Sequence, residues 1–467
     1  MIGNTMKEII YAIFLSFFLC GLCGNAEAKK KKEVKKSIKR EVQTPYDKLF
    51  KGKKAFTVNG LMKMHLMAGK VYAEFPIELL NRDLALTSSI EDISDNGEGV
   101  VGQFAGRVNQ FRFTLQDSML QARLVRRYGV KNTGMGKNAD QIIERSNTPG
   151  IFQSYKILAY TPDKKAVVVD MTELFLESSR LTNPFPSYAG NSLYGFVQRI
   201  HKFQSQRSEL LGICGNDNSM SVHCNLGFNV DRLVLGSFMQ AKDVPVSVTV
   251  NKILMLLPED PMRPRLADSR IGVNAIIQTE LPDVCQGIKT YYITKRWRIE
   301  PVDEIRYKQG EMVDVKKPIV FYIDTLMPDS WIKYVKAGAE AWNAAFEKIG
   351  LRNVVRTELF PKDSSFDAGD IHNSVIRYAP SWMYYPQYSM HTDPRTGEIL
   401  NASVYLPANV ASYFYTSRTE ETMAVDPSVR KARLSEEQFG EMFKAKMMQA
   451  IGRCLGLTDN YAASSVY

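Results

Sequence analysis

Near the carboxy terminus, Gln449, Arg453 and Asp459 have the spacing of a metal-ligand set. On a helix the first two project from one face about one turn apart. Gly456 lies beyond them, where a chain would turn out of the helix, and Asp459 stands where a third ligand would follow. Ala450 occupies the place at which a zinc hydrolase carries the glutamate that activates water. Histidines at 449, 453 and 459 with a glutamate at 450 would complete the hydrolytic pattern H-E-x-x-H-x-x-G-x-x-H. Of that pattern only the glycine is present.

The residues that are present undo the chemistry. A catalytic zinc needs three neutral or anionic ligands and an open position for water. Gln449 is a poor ligand, and Arg453 cannot ligate because its guanidinium stays protonated. Its charge about 4 Å from a dication would cost roughly 8 kcal/mol at an effective dielectric of about 20. That offsets much of a zinc-binding free energy of about 10–16 kcal/mol. Asp459 can coordinate, but one carboxylate does not make a site. Without a base at Ala450 the rate falls by roughly 10²–10⁴ even with metal bound. The expectation is therefore no catalytic residue, no metal and no cofactor at this segment.

The element that carries these residues is predicted to be a helix from about Ser435 to Leu455. Phe439, Phe443, Met447, Ile451 and Leu455 recur every four residues as its buried stripe, with Ala445, Gln449 and Arg453 on another. Upstream, residues 306–467 read as mixed α/β. Pro318 to Asp324 is a buried strand. A helix opened by Pro328-Asp329-Ser330 follows, with Trp331, Tyr334, Val335, Gly338, Trp342, Ala345, Phe346 and Ile349 on one face and Gly350 as its cap. Val354 to Arg356, Ser374 to Tyr378 and Glu398 to Leu406 are further strands, the last entered through the turn Asp393-Pro394-Arg395-Thr396-Gly397.

Residues 45–305 alternate with period two, as in Val71 to Phe75, Gln110 to Thr114, Ser154 to Tyr160 and Val246 to Val250. Such alternation predicts antiparallel sheets, with one internal domain boundary considered near residue 100. The fold class expected overall is α+β: a β-rich antiparallel amino-terminal region followed by a mixed α/β subdomain.

Residues 1–28 read as a signal peptide, with Lys7, the apolar run Ile9 to Leu22 and the small-residue site Ala26-Glu27-Ala28. The run is too short to span a membrane, so no transmembrane segment is expected after cleavage. A lipoprotein reading through Cys20 or Cys23 ranks second. Residues 29–44 form a basic linker, whose eight positive charges against Glu33 and Glu41 supply +6 of the net +10. No basic stripe recurs elsewhere, which argues against nucleic acid as a partner. Cys214 and Cys224 are close enough in sequence for a short disulfide loop; free thiols are the equal alternative, and the pairing of these two with Cys285 and Cys454 is left open. The histidines, His65, His201, His223, His372 and His391, form no i,i+4 pair and read as surface or hydrogen-bonded residues. Trp382, Tyr384, Tyr385 and Tyr388 read as packing or loop anchors, with a peptide or glycan groove as the alternative.

Several phrases, Arg263 to Gly272, Lys295 to Pro301, Ala341 to Phe346, Asp393 to Asn401 and Asn460 to Ser465, resemble a family of large exported zinc-dependent metalloproteases common in Bacteroidota. The order strand, long helix, strands, edge strand and terminal helix resembles the amino-terminal subdomain of metzincins. The resemblance covers nearly the whole mature chain. It implies a metzincin-like subdomain over 306–467, incomplete at its carboxy terminus, and substrate lying along an edge strand at Glu398 to Leu406. The groove candidates are then Ile399, Asn401, Ser403 and Tyr405. With the zinc ligands lost, the expected function is that of an inactive homologue that binds a protein or peptide. The alternative is an active metallopeptidase completed by a partner chain. Export places the protein in the periplasm, at the outer membrane or outside the cell.

Overall fold

The computed structural model describes residues 43–461, apart from 126–129, 133–136, 179–180, 182, 186–196, 236–237, 282–286, 363–365, 382–384 and 432. The signal peptide, nearly all of the basic linker, Cys285, Trp382, Tyr384 and the stretch Ala462 to Ser465 thus lie outside the described residues. Thr44, assigned by sequence to the linker, is the N-cap of the helix Pro45–Phe50 and closes a capping box with Asp47.

Period-two alternation becomes two antiparallel sheets. The larger has seven strands: β1 (Leu84–Ile93), β2 (Phe104–Gln116), β3 (Met119–Leu124), β4 (Gly150–Lys156), β5 (Val197–Asn216), β6 (Ser219–Val234) and β7 (Phe238–Leu256). Their spatial order is β5-β6-β7-β1-β2-β3-β4, with every neighbour antiparallel. A five-stranded sheet, which includes Lys63–Met67, Lys70–Pro76 and Ala166–Asp170, packs against it. Met64, Val71 and Phe75 from the small sheet meet Phe111, Phe113, Val222 and Val248 from the large one in a single apolar core. Residue 100 lies between β1 and β2, which are hydrogen-bonded neighbours.

The second layer system follows. A mixed sheet holds β8 (Ile319–Ile323), β9 (Val355–Leu359), β10 (Ser374–Tyr378), β11 (Gln387–Thr392) and β12 (Ile399–Leu406) in the order β9-β8-β10-β12-β11. All pairs are parallel except β11 with β12. Helices α1 (Asp329–Glu340), α2 (Val410–Thr422) and α3 (Glu436–Cys454) accompany it. Val335, Phe414, Phe443, Met447 and Ile451 bury against Phe321, Ile376, Ala402 and Val404. The expected single helix after Pro328 breaks at Ala341, and a short turn of helix, Asn343–Glu347, carries the chain on. Ile349, assigned to its buried face, lies past the end of that short helix and is 56% exposed.

The two layer systems are not independent bodies. Residues 44–467 form one compact unit. Phe104, Met255 and Ile371 share a small cluster with Leu400, and Arg395 pairs with both Asp393 and Asp83. Among the described residues no helix is long and apolar enough to cross a membrane. Cys214, Cys224 and Cys454 are free thiols, so the short disulfide does not form.

Candidate functional site

Helix α3 begins at Ser435, whose side chain accepts from the Gln438 amide while Gln438 answers the Ser435 amide, a reciprocal cap. Gly440 and Gly338 let α1 and α3 approach closely: a Cβ on Gly338 would stand 2.7 Å from the Lys444 carbonyl oxygen. Two indoles finish the helix, Trp342 Nε1 donating to the Met448 carbonyl and Trp297 Nε1 to the Cys454 carbonyl, each at 2.9 Å. The Cys454 carbonyl is one of the last four, which have no partner within the helix, and the Trp297 indole satisfies it.

Beyond Cys454 the chain turns through Gly456 at φ +99°, and a Cβ there would lie 2.4 Å from the Lys295 carbonyl oxygen. Only glycine tolerates both conditions. The exit is then held by Gly272–Asn274: the Asn274 amide donates to the Gly456 carbonyl at 2.7 Å, and the Thr458 amide to the Gly272 carbonyl at 2.9 Å. The phrases at 263–272 and 295–301 thus form the bed on which the post-helix turn rests.

This turn brings Asp459 back to the helix, where its carboxylate receives Arg453 Nη2 in an ion pair. The pairing holds the Asp459 carboxyl below its ordinary range and raises the Arg453 guanidinium. Gln449 is exposed, while Ala450 is packed into the core. The donors therefore do not fit a zinc ion: the one carboxylate is already committed to a cation, and the base position carries no polar atom. Of these four positions Arg453 and Asp459 meet, while Gln449 lies one turn earlier on the same helix.

The groove assignment needs correction. Strand β12 is not an edge; it lies between β10 and β11. Ile399, Asn401, Ser403 and Tyr405 are buried, at 3%, 0%, 0% and 1% exposure. Asn401 Nδ2 donates to the Ile371 and Asn373 carbonyls at 2.9 and 2.8 Å, and Ser403 Oγ to Asn401 Oδ1 at 3.1 Å. These are internal polar contacts beneath the amino-terminal sheet. One edge of this sheet is β11, which lies against helix α3 and on which Tyr388 is 47% exposed.

Four of the five histidines are paired with carboxylates: His65 with Glu74, His201 with Glu98, His223 with Glu91 and His372 with Asp370. His391 differs, being fully buried against Phe104 with no partner for either ring nitrogen. Burial, helped by the Lys295 charge, pushes its pKa down to about 4.

One grouping was invisible to local spacing. Glu91, His223 and Asp367 place one ligand atom each within 4.8 Å of the others, from β1, β6 and the loop before β10. His223 Nδ1 lies 2.7 Å from Glu91 Oε1. The register aligns His223 with Asn251 and Asn251 with Ser89, while Glu91 stands in the bulge where β1 slips against β7. No sequence motif spans such separations.

A family model described as a domain of unknown function, DUF5117, matches residues 102–302. Those residues run from the start of β2 to the segment before β8, and include Gly272–Asn274. No curated protein and no solved structure matches the chain.

Proposed function

We propose that this protein is an exported, catalytically inactive relative of the zinc metalloproteases that acts by binding an extended protein or peptide segment. The observation that carries the reading is the Arg453–Asp459 ion pair on the hydrolase-spaced helix. A permanent cation and its counter-ion stand where a dication and its ligand would, and the general-base position is an alanine against the core. The element order supports a metzincin-like subdomain: strand β8, helix α1, strands β9 and β10, edge strand β11 and, after β12 and α2, helix α3. The edge strand β11, with Tyr388 exposed, suits binding by strand addition, in which the ligand backbone supplies the missing hydrogen bonds.

Metal analysis and a protease assay test this together. Purified protein should carry no zinc that depends on Gln449 or Asp459, and should not cleave unfolded casein in a chelator-sensitive way. Near-stoichiometric zinc lost in Gln449→Ala or Asp459→Ala, or cleavage abolished by chelator, would establish an active metallopeptidase instead.

A further inference from the structure

We infer that Glu91, His223 and Asp367 form a binding site for a divalent transition cation of the zinc class, at the seam between the amino-terminal sheet and the mixed α/β layer. This site is separate from the terminal helix and does not depend on how that helix is read. Three observations converge on it. The three ligand atoms lie within 4.8 Å of one another, a spread that a modest side-chain adjustment closes around one ion. Imidazole with two carboxylates is a donor set that zinc accepts, and the two negative charges balance the dication when His223 binds as the neutral ring.

The second observation is Asn251. It is 0% exposed and turns its amide to the cluster, Nδ2 donating to Asp367 Oδ2 at 2.9 Å, while its Oδ1 has no hydrogen-bond partner. The Nδ2 contact steadies the Asp367 carboxylate from β7, the strand between β6 and β1. The third is the support around Asp367. The Gly369 amide donates to Asp367 Oδ1 at 2.7 Å, and Ser89 Oγ donates to the Gly369 carbonyl at 3.0 Å. The loop is thus fastened to β1 in a pose that presents the carboxylate to Glu91 and His223. Burial and the neighbouring Glu91 charge both raise the Asp367 carboxyl above its ordinary value. The same two carboxylates act on the Cys214 thiol, which opens towards solvent beside them.

A metal here would stitch β1 and β6 to the loop that feeds β10, and so tie the two layer systems together. Zinc ions titrated calorimetrically into chelator-stripped full-length protein should bind with one equivalent and raise the melting temperature. Affinity should fall in His223→Gln and Asp367→Asn by more than the roughly 10–100-fold that loss of an outer-shell partner costs. Gln449→Ala and Asp459→Ala should leave binding unchanged. X-ray absorption at the zinc edge on the wild-type protein, which needs no variant to fold, should report one imidazole among oxygen ligands. Absence of zinc binding by wild type, binding equal in the His223→Gln/Asp367→Asn double variant, or a first shell without imidazole would overturn the inference. Binding lost only in Gln449→Ala or Asp459→Ala would also overturn it, and would sink the inactive-homologue reading as well; absence of binding leaves that reading standing.

Discussion

The hydroxyl of Tyr405, on strand β12, donates to the Gly102 carbonyl at 2.8 Å, joining residues 303 positions apart in a fully buried contact. The same oxygen lies 3.1 Å from Ser389 Oγ on the neighbouring edge strand. Tyr405 thus ties the mixed sheet to the entry of β2. In Tyr405→Phe the ring remains and the carbonyl of Gly102 loses its donor. Stability should fall by about 1–3 kcal/mol, the cost of a buried group left unpaired. Equilibrium urea unfolding measures it, and an unchanged midpoint would show that the contact contributes nothing.

The geometry of the terminal helix can be tested by restoring what it lacks. Gln449→His, Arg453→His and Asp459→His together should create a site that retains near-stoichiometric zinc, because the helix and the Gly456 turn already bring the three positions together. Mass-spectrometric metal analysis of this triple variant against wild type is the readout. No gain of zinc would mean that the backbone is not arranged as a ligand frame.

Phe443 is fully buried at the meeting of α1, α2 and α3, where its ring contacts those of Trp331, Phe414 and Phe439. Truncation to alanine should cost about 3–5 kcal/mol through lost burial and an unfilled cavity. A loss below about 1 kcal/mol in chemical denaturation would show that this core relaxes freely.

Gly456→Ala should destabilise the protein by more than about 1 kcal/mol, since the new methyl meets both an unfavourable φ and the Lys295 carbonyl. Because that turn carries Asp459, the variant should also weaken the Arg453 pair. Thermal unfolding tests the first effect, and the titration of Asp459 followed by NMR tests the second. An unaltered Asp459 titration would separate the turn from the pair.

His391 predicts a pH dependence. Its folded pKa of about 4 lies below the ordinary 6.5, so the unfolded chain takes up the proton first. The contribution is complete above about pH 6.5 and is lost progressively as pH falls towards 4. At about 1.4 kcal/mol per pH unit the loss reaches about 3 kcal/mol. His391→Leu should flatten the stability profile across that window. A slope equal to that of wild type would place the acid sensitivity in other groups.

Much of the architecture was legible because it is local. Period-two alternation marked β2, β4 and β7, four-residue spacing marked α3, and Gly456 and Gly397 marked turns that only glycine can make. The same spacing puts Gln449 and Arg453 one turn apart on α3 and, through the Gly456 turn, Asp459 beside Arg453. The helix Val410–Thr422 was not foreseen; its apolar and polar residues do not separate into clear faces, so periodicity gave no signal.

What the sequence determined alone was most of the elements and the relationships carried by a single helix or turn, such as the approach of Asp459 to Arg453. Tertiary structure decided which strand became the edge, which face of β12 was covered, and which distant side chains met. Asn401, Ser403 and Tyr405 were expected along an edge strand from the resemblance, yet β12 lies inside its sheet and all three are buried. Glu91, His223 and Asp367 meet because sheet register and loop anchoring set contacts between strands far apart in the chain. Spacing along a backbone has physical meaning only within an element; between elements, burial and register set the distances.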